Sequence, residues 1–508
     1  MSHIYYERLP PDAITELWSS EDLIRHSIDE IHLFSQYYEA NPTTLRDIDY
    51  YYYELHNLFA GPIAVLSKLS PFITVVLATR IAHYIIDLLL NLNFLKNIIT
   101  FTFGCWQIHN YLNSLESGGS QSGRCLIFIA TLFYMLISTN PSIKHPKIAS
   151  SGKNPRPKFK TYLIVSLPFL INEYFIHVAQ EQYHTHLRSI LATLFMKVIH
   201  RLSQKNSSCS QLATFAYLLH PATCIFGPWH VEEASSTKVC ATGPTSSFLE
   251  LTRQSISALR VFTKTLVFLF ISTTLSDLVR LHLIENFGSN LFTDVLSVYL
   301  VALEFRFSHY FMCHLLESLL TLWNSPGRLC VPSSVEWPRS LVEVVILWNK
   351  PMHKWLKDEI FLPIKASTSG SFTAVCSTYF VSSTLHGFKF NIWSVLLSLG
   401  LLTWIEHNLR RNLAYRFSAC ILARDCIYSE KNRCLKGHER TIYNSMFVTV
   451  TNALFRVLAL LHLTYLGFIF KDNPDAANYK KDLHSWSGLY FYSPVLAIVT
   501  YGLNFITR

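Results

Sequence analysis

The sequence predicts an all-α polytopic membrane protein, and three observations carry that prediction. Hydrophobic residues make up 50% of the 508 and charged residues only 15%, whereas soluble globular chains carry roughly a quarter charged residues. Apolar runs recur at 72–90, 124–139, 161–171, 261–275, 291–303, 389–405, 447–470 and 489–506. Several reach the roughly 20 residues that cross a bilayer, and the shorter ones suit tilted or re-entrant helices. Polar breaks separate the runs at 114–123, 142–160, 203–210, 231–247, 324–340 and 424–440. Together these predict about nine to eleven transmembrane helices, with re-entrant and interfacial helices among them.

Taken in order, residues 1–60 form a polar N-terminal region that ends in the tyrosine-rich DIDYYYYELH (47–56), suited to the headgroup level of a membrane. That region lacks the basic-then-apolar pattern of a signal peptide, so insertion is expected to begin at the first internal span. Residues 61–508 are expected to form one membrane domain, with the chemistry-bearing core over 215–470. No repeat is visible at the period of solenoids or arrays. The net charge of +9 is uneven: KHPKIASSGKNPRPKFK (144–160) holds six Lys/Arg and no acid, and 410–440 is also basic. Short basic loops between spans favour the cytoplasmic side. With no nucleic-acid module beside them, they do not point to nucleic acid. The eleven cysteines form no CxxC pair. Free thiols buried in or beside apolar helices (Cys105, Cys125, Cys224, Cys313, Cys376) are expected rather than a disulfide framework.

SSTLHGFKFNIW (382–393) sets His386 in one of the most apolar parts of the chain, and an imidazole at membrane depth is costly without a partner or a purpose. With 371–385 helical, Tyr379, Ser382 and Ser383 precede His386 by seven, four and three residues and share its face. A phenol, two hydroxyls and an imidazole on an apolar helix make either the wall of a polar cavity or an interhelical hydrogen-bonding stripe. Gly387, directly after the histidine, permits close approach of a substrate or a neighbouring helix.

In WPRSLVEVVILWNKPMHKWLKDEIF (337–361), Pro351 breaks the helix that Asn349 ends. The stretch after it reads as an interfacial helix. An asparagine at the end of a broken membrane helix can offer an amide N–H and a carbonyl to a ligand. The same WNKP is equally an ordinary helix stop, with Trp348 in the aromatic belt. VYLVALEFRFSHYF (298–311) places Glu304, Arg306, Ser308 and His309 in an apolar context, and YLLHPATCIFGPWH (217–230) ends in a Gly-Pro turn. Each of these, taken singly, reads first as structural. In EQYHTHLRS (181–189), His184 and His186 are two apart and would not share a helix face, so no metal site is expected there.

Asn349 and His386, 386 − 349 = 37 residues apart, resemble the arrangement of the membrane-bound O-acyltransferases. In that family an asparagine or aspartate in a membrane-interface segment accompanies a histidine in a later apolar helix. The likeness is carried by PRSLVEVVILWNKPMHKWL (338–356), LHGFKFNIWSVLLSLG (385–400), IEHNLRRNLAYRFSACILARDC (405–426) and ALFRVLALLHLTYLGFIF (453–470). FGPW (226–229) and FRFSHYF (305–311) add to it. EQYHTHLR departs from the family's Trp-His-x-x-Arg pattern, with Tyr183 where tryptophan belongs.

The resemblance is closer to the branch that acylates Wnt proteins. It implies a serine O-acyltransferase of the endoplasmic reticulum membrane. The acyl group would be palmitoleoyl, taken from palmitoleoyl-CoA as co-substrate, with no further cofactor and no metal. His386 would be the general base, and Asn349 would orient or polarise the thioester. Trp348 and Tyr379 would line the acyl slot, with Ser382, Ser383, Leu385, Glu304, Ser308, Tyr310 and Arg188 in the substrate-binding surroundings. The implied partners are a Wnt hairpin, palmitoleoyl-CoA, membrane lipid and a carrier membrane protein that receives the product. Two other readings stay open. One is a lysophospholipid or sterol O-acyltransferase of the same family. The other is a non-enzymatic transporter or trafficking protein in which His386 only packs.

Overall fold

The computed structural model describes residues 46–89, 92–114, 121–139, 159–178, 183–203, 210–227, 248–275, 279, 291–323, 327–367, 370–426, 442–470 and 479–507. Every regular element among them is helical. The chain divides into two units, Met1–Lys68 with Glu116–Gly118 and Leu69–Leu115 with Gly119–Arg508. Of the first, the described residues are helix only, 46–68. The side chains of the tyrosine-rich 47–56, nearly all of the basic 144–160, the end of FGPW and residues 427–440 of the basic 410–440 lie outside the described residues.

The helices are α1 (Arg46–Leu89), α2 (Asn93–Ser114), α3 (Gln121–Thr139), α4 (Phe159–His177), α5 (Tyr183–Ser203) and α6 (Gln211–Leu218). Then come α7 (Phe248–Phe270), continued by a π-turn at Ile271–Leu275, α8 (Leu291–Thr321), α9 (Pro332–Glu336) and α10 (Leu341–Trp348). A single residue separates α10 from α11 (Lys350–Trp355), which runs through a π-turn at Leu356–Phe361 into α12 (Leu362–Ser367). The chain ends with α13 (Ser371–Leu385), α14 (Phe390–Arg416), α15 (Ile442–Phe468), α16 (Tyr479–Gly488) and α17 (Tyr492–Ile506). Each apolar run of the sequence overlaps one of these helices.

Among the described residues, three helical stretches are long and apolar enough to cross a membrane: Phe59–Leu89, Leu249–Thr274 and Met446–Phe468. Gly123–Ser138 and Tyr492–Ile506 are shorter and apolar. The molecule is an all-α polytopic membrane protein. Hydropathy passes over α5, which carries His184, Arg188, Lys197 and Arg201, yet α5 is buried along most of its length. His184, Arg188 and Lys197 are answered from inside the protein, the condition under which such groups survive away from water. His184 Nδ1 meets Asn172 Oδ1 at 2.9 Å. Arg188 grips Glu173 on α4 with two hydrogen bonds of 2.6 and 3.0 Å. The Lys197 ammonium donates to the carbonyls of Tyr217 and Leu218 and to Thr223.

The cysteines correct the expectation in part. Cys224 and Cys313 are free and buried, but Cys105, Cys125 and Cys376 are free and exposed. An apolar helix of a membrane protein turns its greasiest face outward to lipid, so membership of an apolar run does not imply burial within the protein.

The short helix α10 is anchored at its N-terminus before it delivers anything to the site. Ser340 caps it, accepting from Glu343 N–H at 3.1 Å, and donates to Ala423 O at 2.8 Å. Glu406 on α14 accepts from Leu341 N–H at 2.8 Å and from Arg410 at 2.6 Å. Arg410, fully buried, also donates to Ile421 O, to Asn452 and to Arg339 O. Its guanidinium stacks on Phe455 at 4.1 Å. Arg339 takes the carbonyls of Cys420 and Leu422. Four successive carbonyls, 420–423, are thus bonded to the residues that start α10 or to Arg410.

Candidate active site

Helix α13 ends where the sequence changes from Leu385 to His386-Gly387. The His386 N–H bonds back to Ser382 O and Ser383 O, and Gly387 N–H to Thr384 O at 2.9 Å. Gly387 has φ +91°, a left-handed conformation that costs glycine little and stops a helix. Trp393 donates its indole N–H to Gly387 O at 2.8 Å and fixes the turn from the other side. His386 is therefore the C-cap of its helix, one residue past Leu385, and it is exposed while Ser382, Ser383 and Leu385 are buried.

Arg188 packs against this turn. A Cβ placed on Gly387 would lie 2.3 Å from the Arg188 Cζ, so the guanidinium covers the glycine directly. Its charge acts on His386 and is matched by Glu173, which also lies 3.4 Å from His177 Nε2. His177 in turn meets Phe388 edge-on at 6.1 Å. The pair α4–α5 thereby closes one side of the His386 turn.

On the second candidate element, Asn349 ends α10 and begins α11. Its Oδ1 accepts from Met352 N–H at 3.1 Å, an N-cap, and its own carbonyl accepts from His353 N–H at 2.9 Å. Pro351 explains the break, since it has no N–H to continue α10. Capping by Oδ1 occupies the oxygen of the side-chain amide and not its Nδ2 hydrogens. The preceding Trp348 is stacked by His309 of α8, with ring centroids 4.1 Å apart and planes within 2°. Phe305 stacks at 6.2 Å and Tyr310 meets the indole edge-on at 5.8 Å. His309 Nε2 lies 2.9 Å from Trp348 O, and His309 stands in the electrostatic reach of His386. His309 thus ties the Asn349 hinge to α8. Nothing in FRFSHYF marks His309 as part of the site, because its partner Trp348 lies 39 residues away along the chain.

The remaining candidates divide. Tyr379 packs its ring on α14 at Gly400, where a Cβ would come within 2.7 Å of the ring. The Ser383 hydroxyl donates to Tyr379 O at 2.8 Å within its own helix, as helical serines without another acceptor do. Ser308 is exposed and donates to Phe305 O at 2.8 Å. Tyr310 is buried, its hydroxyl 2.7 Å from Glu336, which also holds Arg306 at 2.8 and 2.9 Å. Its contribution is to wedge Trp348. Glu304 is half-buried on the same helix. No group of three or more His, Cys, Asp or Glu arranged to hold a metal occurs among the described residues.

Residues 101–419, well over half of the chain, match the membrane-bound O-acyltransferase (MBOAT) family. The matched stretch contains Arg188, His309, Asn349 and His386. The chain is 32% identical to the protein-serine O-palmitoleoyltransferase porcupine of Anopheles gambiae, over 59% of this chain and 63% of that protein. To the protein of the same name from Drosophila melanogaster it is 35% identical, over 51% of this chain and 50% of the relative. The human protein of that name is 31% identical over 55% of this chain and 63% of its own length. The alignments span from half to just under two thirds of these relatives. On the family match, the chain belongs to the membrane-bound O-acyltransferases.

Proposed function

We propose that this protein is an acyltransferase of the endoplasmic reticulum membrane that moves a palmitoleoyl group from palmitoleoyl-CoA to a serine in a Wnt hairpin. The observation that carries this reading is the likeness to protein-serine O-palmitoleoyltransferases, beside a family match over residues 101–419 that holds both Asn349 and His386. The imidazole of His386 takes the proton of the acceptor serine as its oxygen attacks the thioester carbonyl. General-base catalysis of this kind contributes about 10²–10⁴-fold. The Nδ2 hydrogens of Asn349 bind the carbonyl oxygen as it gains negative charge, a contribution of about 3–4 kcal/mol. Collapse of the tetrahedral intermediate expels CoA as a thiolate, which the proton on His386 can neutralise. A thiolate leaves readily, so transfer is direct and no acyl-enzyme is needed.

Arg188, neutralised by Glu173, braces the turn that carries His386. Trp348 borders the acyl chain beside Asn349. Membrane lipid surrounds the bundle, and a carrier membrane protein takes the acylated product.

The test uses the full chain purified in detergent, with palmitoleoyl-CoA and a disulfide-closed Wnt hairpin peptide, and a lysophospholipid as competing acceptor. The expected result is serine acylation by wild type and a loss of about 10²–10⁴-fold in a folded His386→Ala variant. Acylation of the lysolipid in place of the peptide would overturn the acceptor. Equal activity of a folded His386→Ala variant would overturn the mechanism.

A further inference from the structure

The break after α10 leaves backbone groups that a continuous helix would have satisfied. Leu347 O would accept from residue 351, which is proline and has no N–H. Trp348 O would accept from Met352, whose N–H goes instead to the Asn349 side chain. Buried carbonyls of this kind need other donors. Leu347 O takes the N–H of Val331 at 3.0 Å, and the flanking Lys350 N–H reaches Leu329 O at 2.9 Å. Trp348 O takes the imidazole of His309. A carbonyl can only accept, so His309 Nε2 carries the hydrogen and Nδ1 the lone pair.

The carbonyl of Trp348 belongs to the same peptide plane as the N–H of Asn349. Its orientation therefore sets the direction in which the Asn349 side chain leaves the hinge. The rest of the surroundings holds His309 to that task. Its ring lies flat on the indole of the residue it bonds, and Cys313, one turn further along α8, places Sγ 3.3 Å from the same Nε2.

We infer that His309 is a positioning residue of the acyl-transfer reaction: its Nε2–H fixes the Trp348–Asn349 peptide, and through it the aim of the Asn349 amide at the thioester carbonyl. This rests on the reading of Asn349 as the group that polarises the thioester. A histidine that served packing alone would set stability and leave turnover untouched. A positioning histidine sets turnover, because a misplacement of about 1 Å in a catalytic group costs on the order of a hundredfold.

Two variants separate stacking from donation. His309→Phe keeps an aromatic ring on Trp348 and loses the donor, whereas His309→Gln keeps an N–H donor and loses the stack. Each is assayed as the full chain in detergent for kcat and for KM toward palmitoleoyl-CoA, with a thermal melt as the check on folding. The expectation is a kcat lower by about ten- to a hundredfold in His309→Phe, with KM within about twofold. His309→Gln should recover most of that kcat. A folded His309→Phe with wild-type kcat overturns the inference, and so does a folded His309→Gln as slow as His309→Phe. If His309→Phe does not fold, His309→Gln decides alone: near-wild-type kcat supports donation, and a hundredfold loss overturns it. Asn349→Ala and His386→Ala run alongside. If both are inactive while His309→Phe is not, this inference alone fails. If neither lowers kcat, the reading of the site fails and takes this inference with it.

Discussion

Asn349 uses one amide for two purposes, and the two can be separated by substitution. Its Oδ1 caps α11 at Met352 N–H, while the Nδ2 hydrogens are the proposed partners of the thioester oxygen. Serine caps helices about as well as asparagine, but its hydroxyl is too short to reach where the amide nitrogen would stand. Asn349→Ser is therefore expected to melt with wild type and to lose about 10²–10³ in kcat. Asn349→Ala should lose the same activity and, in addition, about 1 kcal/mol of stability from the missing cap. The measurement is paired: acyl transfer to the hairpin peptide and a thermal melt for each variant. Retained turnover in a folded Asn349→Ser would mean that the amide is a cap and nothing more.

At the scale of the element, what makes α13 useful is where it stops. Gly387 adopts φ +91° and lies directly under the Arg188 guanidinium. An alanine there would face a left-handed penalty of about 1–2 kcal/mol. Its methyl would also meet a side chain that two hydrogen bonds to Glu173 prevent from moving away. Gly387→Ala is expected to lower the melting temperature and to reduce acyl transfer more than that destabilisation explains, because the turn that presents His386 must shift. A variant that is less stable yet turns over at the wild-type rate would show that the turn tolerates movement. The end of α13 and the break at Asn349 were both legible in the sequence, because glycine and proline act locally and need no partner. The helix over 371–385 likewise follows from its composition. The role of Ser383 is not legible: a hydroxyl on that face suits a polar wall or an interhelical hydrogen-bonding stripe alike, and in the fold it bonds Tyr379 O within its own helix. His309 was equally out of reach, since its meaning depends on a carbonyl that only tertiary structure brings to it.

For the whole molecule, the counterpart of the site is the ionic anchor that holds the far end of α10. Hydropathy could not reveal it, because a buried arginine lowers the apolar score of the helix that carries it. Arg410 and Glu406 sit one turn apart on α14, both almost fully buried, and between them they bond the start of α10, the carbonyl of Ile421 and Asn452 on α15. Removing one partner of a buried pair leaves an uncompensated charge, at a cost of about 3–5 kcal/mol. Arg410→Met is thus expected to destabilise the protein by that amount, through the charge left on Glu406 and through the carbonyls left without donors. Adding Glu406→Gln to it removes the orphan charge while keeping an acceptor for Leu341 N–H, and should recover part of the loss. Thermal melts of the two variants and the wild type in the same detergent test this. If Arg410→Met melts with wild type, the cluster does not hold α10. If it melts early and Glu406→Gln recovers nothing, the cost lies in the unbonded carbonyls rather than in the charge, and the anchor is a hydrogen-bonding device first and an ion pair second.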